Sequence, residues 1–292
     1  MAPAPDPQPD PEIARRVAAV LGWRPQSWRR VSGGYTPALR FVAVAGERSV
    51  FVKIAVSPIT VRMLRREAAA YRALRAPFVP AFVAFEDDET WPLLIIEDLA
   101  GARWPPPWDT ALVGDVVAVV KAMGRAPADL PRFAEVQPQM SGSWAKVAAD
   151  PGPFLSLGFT SDAWLATALP TLVGAEAACQ LDGDSVCHFD LRSDNICRAP
   201  GGVKFVDWSA ACLGNPLVDL GGWLPSLEYE GGPAPEAVIG HAPEVAAWVS
   251  GYFAARAGLP DIPDAPFVRR VQREQLSTAL PWSARALGLP PL

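Results

Sequence analysis

The chain has few of the residues that build metal, disulfide or nucleic-acid sites. Only two histidines, His188 and His241, occur in 292 residues, which excludes a histidine-rich metal centre. The formal net charge of −5 argues against a protein that neutralises many nucleic-acid phosphates. None of the four cysteines has CxxC spacing, and we interpret all four as reduced, buried thiols: Cys179, Cys187, Cys197 and Cys212.

Long hydrophobic runs and targeting signals are also missing. No run of about 18 uncharged apolar residues is present, so no transmembrane helix is expected. The first residues, MAPAPDPQPDPE, lack both the basic and the apolar region of a secretory signal. We therefore expect a cytoplasmic protein with a flexible tail over residues 1–10, and no pattern indicates a membrane or protein partner.

The remaining sequence predicts two lobes of different secondary structure. Half of the residues are hydrophobic, enough for a large core. Short alternating runs separated by turns predict strands at residues 28–32, 39–45, 49–55, 81–85 and 93–97. Helical spacing predicts helices from residue 11 to 21 and at residues 58–75, 110–124, 161–179, 244–257 and 266–287, with a break or kink at Pro170. Two further strands are predicted at residues 186–189 and 203–206. We predict an α+β protein with an antiparallel sheet lobe, residues 1–99, and a mainly helical lobe, residues 100–292.

The two predicted lobes differ in charge. Residues 1–99 contain 13 basic and 11 acidic side chains, whereas residues 100–292 contain 13 basic and 20 acidic ones. The second lobe therefore carries a charge of −7, which suits a cationic ligand. We consider five carboxylates in this lobe as contacts for such a ligand: Glu228, Glu230, Asp261, Asp264 and Glu274.

The strongest chemical signal is the string HFDLRSDNI, residues 188–196, followed by VKFVDW, residues 203–208. It brings Asp190, Asn195 and Asp207 close to two short apolar strands. Carboxylate and amide oxygens suit Mg²⁺, which takes few protein ligands and completes its shell with phosphate and water. Each of the three residues could instead cap a turn, but the whole string in this order favours a catalytic site.

A second signal is a pair of charges inside apolar elements. Lys53 interrupts an apolar strand, and Glu67 lies on the apolar stripe of the next helix. A carboxylate on a core-facing stripe needs a partner, so the simplest pairing is Lys53 with Glu67. The alternatives are that Lys53 extends to water and that Glu67 pairs with a neighbouring arginine on the surface.

The HxDxxxxN pattern followed by an Asp after a short strand resembles the catalytic signature of the aminoglycoside phosphotransferase family, which shares the protein-kinase fold. The resemblance implies a bilobal kinase-like fold that binds ATP and Mg²⁺. It implies that Asp190 is the catalytic base, that Asn195 and Asp207 ligate Mg²⁺, and that Lys53, held by Glu67, contacts the ATP phosphates.

Further stretches match the family in motif order. By the resemblance, His188 and Asp219 (in GNPLVDL) brace the catalytic loop. The family covers the phosphates with a segment that matches Ser32, Gly33, Gly34, Tyr35 and Thr36, although a Gly-Gly turn between strands is also typical of a plain hairpin. The segment expected to hydrogen-bond the adenine through its backbone is Glu97, Asp98 and Leu99.

These features predict an ATP-dependent phosphotransferase that acts on a hydroxyl of a small molecule, with an antibiotic as the first candidate and hence a role in resistance or self-resistance. A metabolic kinase for a sugar, amino alcohol or nucleoside stays open, as does a non-catalytic kinase-like nucleotide sensor. A protein kinase is disfavoured because the segment from Asp207 to Gly221 is short and leaves little room for a long activation loop or a peptide platform. Three departures from the family leave the subfamily open: Arg192, Asp194 and Ser209.

Overall fold

The computed structural model describes residues 8–34, 36–263 and 265–292. Within these ranges the first compact unit extends to Trp104 and also contains Cys197–Ala210, and the second contains Pro105–Ile196 and the chain from Ala211 onwards. Sequence patterns alone placed one boundary, after residue 99. The later segment joins the first unit because, for example, the Phe205 amide donates a hydrogen bond to the Phe78 carbonyl at 2.8 Å.

The secondary structure is mixed, which confirms the predicted α+β class. In chain order the strands are β1 (Ser27–Arg30), β2 (Leu39–Ala45), β3 (Arg48–Ile54), β4 (Phe82–Glu86), β5 (Leu93–Glu97), β6 (Ser185–Cys187), β7 (Ile196–Ala199), β8 (Gly202–Phe205) and β9 (Cys212–Gly214). The helices are α1 (Pro11–Leu21), α2 (Pro58–Ala73), α3 (Thr110–Met123), α4 (Phe133–Val136), α5 (Ser143–Ala149), α6 (Gly152–Leu155), α7 (Asp162–Ala178), α8 (Pro216–Tyr229), α9 (Pro235–Ile239), α10 (Pro243–Ala257) and α11 (Val268–Leu287).

The first unit is built on a five-stranded antiparallel sheet of order β1-β2-β3-β5-β4. Alternating apolar residues of these strands form a core with α1, around Val52, Leu93 and Ile95. The helix α2 begins at a capping box, in which the Ser57 side chain accepts from the Thr60 amide and Thr60 reaches back. The β7–β8 hairpin also belongs mainly to this unit and leads directly to Asp207.

The second unit is mainly helical, with the small β6–β9 sheet beside the helices. Its centre is α10, which packs against α5, α7 and α11. Close packing requires a glycine at position 251, because a Cβ there would lie 2.6 Å from the Trp144 ring. Most tryptophans of this unit are core residues, since Trp144, Trp223 and Trp282 are fully buried.

Two sequence expectations about this unit need correction. The helix α7 is continuous from Asp162 to Ala178, so the break that was one of the two alternatives at Pro170 is absent. The helix α8 was not predicted, although Asn215 caps its first turn by accepting from the Leu217 amide and Pro216 occupies its first position. Its apolar residues are buried on several sides, so the amphipathic period that reveals a surface helix is weak. Among the described residues, no helix is long and apolar enough to cross a membrane.

Candidate active site

The first unit contains the predicted ion pair between Lys53 and Glu67. Lys53 lies on β3 and Glu67 on α2, and their Nζ and Oε2 atoms are 2.7 Å apart. Glu67 is only 2% exposed, so its charge depends on this partner rather than on water. The neighbouring arginines that offered an alternative partner do not take this role.

Asp207 joins the same cluster. Its Oδ2 lies 3.2 Å from Lys53 Nζ, so one ammonium group serves two carboxylates. Asp207 has a positive φ of 62°, a left-handed backbone that aspartate tolerates better than bulky residues do. Its other oxygen, Oδ1, is buried and has no hydrogen-bond partner within the part of the chain that the structure describes. Such an atom is a candidate cation ligand.

The pKa shifts of this cluster follow from burial opposed by charge. Burial alone would raise the pKa of Asp207, but Lys53 outweighs it and lowers the pKa to about 2. Burial would lower the pKa of Lys53, but Asp207 and Glu67 raise it instead. For Glu67, burial raises the pKa and Lys53 offsets this only in part. Asp207 is therefore the carboxylate that stays ionised at neutral pH.

The glycine segment before β2 has an unusual backbone. Ser32, Gly33 and Gly34 are exposed, and the two glycines have φ values of +115° and +76°. These conformations favour glycine and turn the segment sharply. Thr36 accepts a hydrogen bond on its Oγ1 from the Arg40 side chain at 3.2 Å. Tyr35 lies outside the described residues.

The segment predicted to contact adenine follows directly from β5. The Glu97 side chain accepts from the Ala81 amide at 2.9 Å and pairs with Lys204 at 3.0 Å. Asp98 accepts from the Ala100 amide at 3.0 Å, and the Leu99 carbonyl accepts from Ala102. These side chains fix the course of the backbone at the end of the sheet. Lys204 was not considered from the sequence.

In the second unit, a buried carboxylate holds the loop that carries Asp190. Both oxygens of Asp219 accept backbone amides at 2.7 Å, one from His188 and one from Phe189. Burial raises the pKa of Asp219 to about 7, although the two amides oppose this. His188 is fully buried, and its Nδ1 accepts from the Asp190 amide at 3.2 Å. His188 and Asp219 therefore both brace the loop.

Phe189, next to Asp190, has a strained backbone. Its φ of 56° is rare for a bulky residue and costs about 1–3 kcal/mol. The ring packs against Phe133 with centroids 4.8 Å apart. It also packs over Gly214, where a Cβ would lie 2.9 Å from the ring. The hydrogen bonds to Asp219 and the packing of the ring together impose this conformation, which turns the chain at Asp190 away from the direction of β6.

Asp190 itself is tethered at both carboxylate oxygens. The Asn195 amide group donates to Oδ2 at 3.0 Å and to the Asp190 carbonyl at 2.8 Å. The Arg192 guanidinium lies 3.3 Å from Oδ1. Asp190 still has a side-chain exposure of 35%, so its carboxylate is both oriented and accessible. The link between Asp190 and Asn195 could not be inferred from spacing alone.

A third brace of this loop was missed from the sequence. Glu230 accepts from the Ser193 hydroxyl at 2.6 Å and from the Trp108 indole N–H at 2.8 Å. Glu230 is one of the five carboxylates expected to contact a cationic ligand, but both of its oxygens have protein partners. Because Ser193 and Glu230 are 37 positions apart, no local pattern signals the bond.

Comparisons with known proteins identify the family and the fold. A family model described as "Phosphotransferase enzyme family" matches residues 27–258. Among curated proteins, no significant match was found.

Solved structures share the fold at low sequence identity. One is spectinomycin phosphotransferase APH(9)-Ia in complex with ADP and spectinomycin, with a TM-score of 0.63, 13% identity and coverage of 96% of this chain and 99% of that chain. Another is a thermostable mutant of aminoglycoside phosphotransferase APH(4)-Ia in a ternary complex with AMP-PNP and hygromycin B. Its TM-score is 0.60 and its identity 17%, with coverage of 95% of this chain and 98% of that chain. A third is the amicoumacin kinase hAmiN in complex with AMP-PNP, Ca²⁺ and Ami. Its TM-score is 0.57 and its identity 13%, with coverage of 94% of this chain and 95% of that chain. At these identities the likeness concerns the fold.

Proposed function

Because the chain belongs to the phosphotransferase enzyme family, we propose that it transfers the γ-phosphoryl group of ATP to a hydroxyl of a small molecule. Residues 1–99 are assigned to nucleotide binding and residues 100–292 to catalysis and acceptor binding.

The observation that carries the proposal is the cluster of Lys53, Glu67 and Asp207. In this cluster one buried ammonium group is shared by two carboxylates. Lys53 can bind the ATP phosphates while Glu67 keeps it in place, and Asp207 stays ionised to attract a cation. A purely structural ion pair would not need the second carboxylate.

Asp190 is proposed as the catalytic base. Its carboxylate accepts the proton of the acceptor hydroxyl while the hydroxyl oxygen bonds to the γ-phosphorus. The bond from that phosphorus to the oxygen shared with the β-phosphate breaks, and ADP leaves with the electron pair. Asn195 and Arg192 orient the carboxylate of Asp190. Asp219 and His188 hold the loop that carries it.

The proposed metal ligands are Asp207 and Asn195, and the residues present fit Mg²⁺. Asp207 offers a buried, ionised oxygen without a described partner, and Asn195 donates through its Nδ2 so that its carbonyl oxygen is the other hard ligand. Among the described residues, no group of three or more His, Cys, Asp or Glu side chains could hold a metal ion. When bound, Mg²⁺ neutralises charge on the transferred phosphoryl group.

The remaining nucleotide contacts are proposed from the sequence. The backbone from Ser32 to Thr36 would cover the phosphates, and the backbone of Glu97, Asp98 and Leu99 would contact adenine. The exposed, positive-φ glycines support the first assignment, since their amides can approach a ligand closely.

For the acceptor we propose an antibiotic, and hence a role in resistance. The support is that the phosphotransferases with spectinomycin and hygromycin B share this fold. The purified protein should therefore be screened for ATP consumption with antibiotic, sugar, amino alcohol and nucleoside panels. A product that gains one phosphoryl group by mass spectrometry would identify the acceptor.

The variant that tests the proposed base is Asp190→Asn, which keeps the size of the side chain but cannot accept the proton. We expect its turnover to fall by about 10²–10⁴-fold while MgATP binding persists. Equal product with the variant would show that Asp190 is not the base. MgATP binding without turnover on any hydroxyl compound would favour a nucleotide sensor over an enzyme.

A further inference from the structure

Arg40 belongs to none of the family motifs, but it lies on the same face of the sheet as Lys53. The two residues are directly opposite each other in the β2–β3 register. Opposite residues of antiparallel strands project to one face, with their Cβ atoms about 4.5–5.5 Å apart. The face that carries Lys53 therefore carries a second cation.

The Arg40 guanidinium contacts only neutral oxygens. It donates to the Ala38 carbonyl at 2.9 Å, the Thr36 carbonyl at 3.4 Å and the Thr36 hydroxyl at 3.2 Å. In the described ranges no carboxylate forms an ion pair with it. Arg16, by contrast, is paired with both Glu86 and Asp88. A partly buried cation without an anion is costly unless a ligand supplies one.

The guanidinium also lies directly against the glycine segment. A Cβ on Gly34 would be 2.6 Å from Arg40 Nη2 and 2.9 Å from its Cζ. The φ of +76° favours glycine at this position, and a side chain there would also displace the end of Arg40. The backbone amides of the segment and the guanidinium thus border the same space.

Arg40 adds a second basic side chain to the face that carries Lys53, beside the carboxylates of Glu67 and Asp207. The field of Arg40 acts on Lys53, Glu67 and Asp207 alike. The two carboxylates pair with Lys53, whereas no described carboxylate pairs with Arg40, so an incoming anion can meet Arg40 in addition to Lys53. A guanidinium offers paired donors that match two phosphate oxygens.

We propose that Arg40 binds a phosphate of the nucleotide, as a second cation beside Lys53 and against Gly34. This inference rests on the proposed function, because it assumes that the site takes a nucleoside di- or triphosphate. The competing role is a brace, in which Arg40 only fixes the segment through Thr36 and Ala38.

Nucleotide binding by calorimetry separates these roles without an acceptor or turnover. We would titrate MgADP and adenosine into the full chain and into Arg40→Met, Arg40→Lys and Arg48→Met. Arg48 is the matched control, since it is exposed on the adjacent strand of the same hairpin. Arg40→Met should raise the Kd for MgADP about tenfold or more and leave the Kd for adenosine unchanged. Arg40→Lys should lie in between, and Arg48→Met should match the parent protein.

Equal weakening of MgADP and adenosine by Arg40→Met would overturn the proposal, as would no change in either Kd. Thr36→Val removes a hydrogen bond of the brace and keeps the guanidinium, so a loss of MgADP affinity as large as that of Arg40→Met would also overturn the proposal in favour of the brace. If Arg40→Met does not fold, Arg40→Lys decides: a loss confined to MgADP supports the proposal and an equal loss overturns it. Failure of the parent protein to bind MgADP would instead overturn the proposed function. A parent that binds while Arg40→Met is unaffected would refute this inference alone.

Discussion

Two carboxylates, one in each unit, are almost equally buried but have different partners. Glu67 is 2% exposed and pairs with the Lys53 ammonium, whereas Asp219 is 1% exposed and accepts two backbone amides. Burial raises the pKa of both. Depth in the protein is therefore not what distinguishes them; the chemical type of the partner is.

The difference separates the cluster that we propose to bind a ligand from one that holds the backbone. Lys53 is a side chain that already divides its charge between Glu67 and Asp207, so it can be shared again with an incoming phosphate. The amides held by Asp219 are fixed parts of the backbone and can serve only the loop. Glu176 repeats the second pattern, because it accepts the Ser143 and Trp144 amides at 2.7 Å and caps α5.

The largest effect is expected from Asp207→Ala in the first unit. The change removes an anionic metal ligand and one of two partners of Lys53, so Mg²⁺-dependent nucleotide binding and turnover should be lost. Calorimetry with MgATP measures the first and an ATP-consumption assay the second. An unchanged Kd for MgATP would break the distinction between the two clusters, because Asp207 would then serve structure alone.

Asp219→Asn should mainly lower stability. An asparagine presents a donor to one of the two amides that Asp219 accepts, which leaves that amide unpaired. We expect the free energy of unfolding to fall by about 1–3 kcal/mol, measured by urea denaturation. Asp184→Asn is the control, since Asp184 is 85% exposed, and a change within about 0.5 kcal/mol is expected there. A fall no larger than in the control would contradict the bracing role.

The same variant should alter the pH dependence of unfolding. The pKa of Asp219 is raised from 3.8 to about 7 in the folded state. Its contribution to stability is therefore fully present below 3.8 and is lost as the pH rises through about 7. The parent protein should lose more stability than Asp219→Asn between pH of about 5 and 8, and parallel pH profiles would show that the carboxyl does not titrate in this range.

A smaller effect is expected in a double-mutant cycle of Lys53→Met and Glu67→Ala. Each should lower kcat/KM for ATP without unfolding the protein, since Glu67 acts by positioning Lys53. The coupling should exceed about 0.5 kcal/mol. The pair Arg65 and Asp87 is the control: it has the same distance of 2.7 Å at the surface and should show no coupling in activity. Additive effects for Lys53 and Glu67 would mean that the ion pair does not position the lysine.

Local sequence patterns predicted the parts of the molecule whose structure is set by residues close to one another in the chain. The strands β2 and β5 agree with the predicted bounds, since alternating residues and flanking turns define them. Glu67 was found because a carboxylate on an apolar helical stripe violates the pattern and demands a partner. The ion pair with Lys53 is accordingly present in the structure.

Interactions between distant segments could not be predicted in this way. The Ser193–Glu230 and Trp108–Glu230 hydrogen bonds join residues 37 and 122 positions apart. Arg40 follows an ordinary strand pattern, and only the register opposite Lys53 and the approach to Gly34 give it meaning. The helix α8 lacks a clear polar face because most of its residues are buried, so periodicity does not reveal it.

The smallest effect should be that of salt on the KM of the acceptor. The −7 charge of residues 100–292 favours a cationic acceptor, but the carboxylates considered for it have partners where the structure describes them. These are Glu228 with Arg285 at 4.0 Å, Asp261 with Arg273 at 3.6 Å, Glu274 with Arg270 at 2.8 Å, and Glu230 with Ser193 and Trp108; Asp264 lies outside the described residues.

Paired charges attract a further cation weakly, and salt screens what remains beyond about 8–10 Å at physiological ionic strength. We therefore expect the acceptor KM to change less than about twofold between about 0.05 and 0.5 M salt. Glu274→Gln, at the shortest of these ion pairs, should not raise that KM either, because Glu274 already binds Arg270. A KM that rises steeply with salt, and again in Glu274→Gln, would show that a cationic acceptor competes for these carboxylates. The second unit would then also use charge for ligand binding, and the contrast with the first would fail.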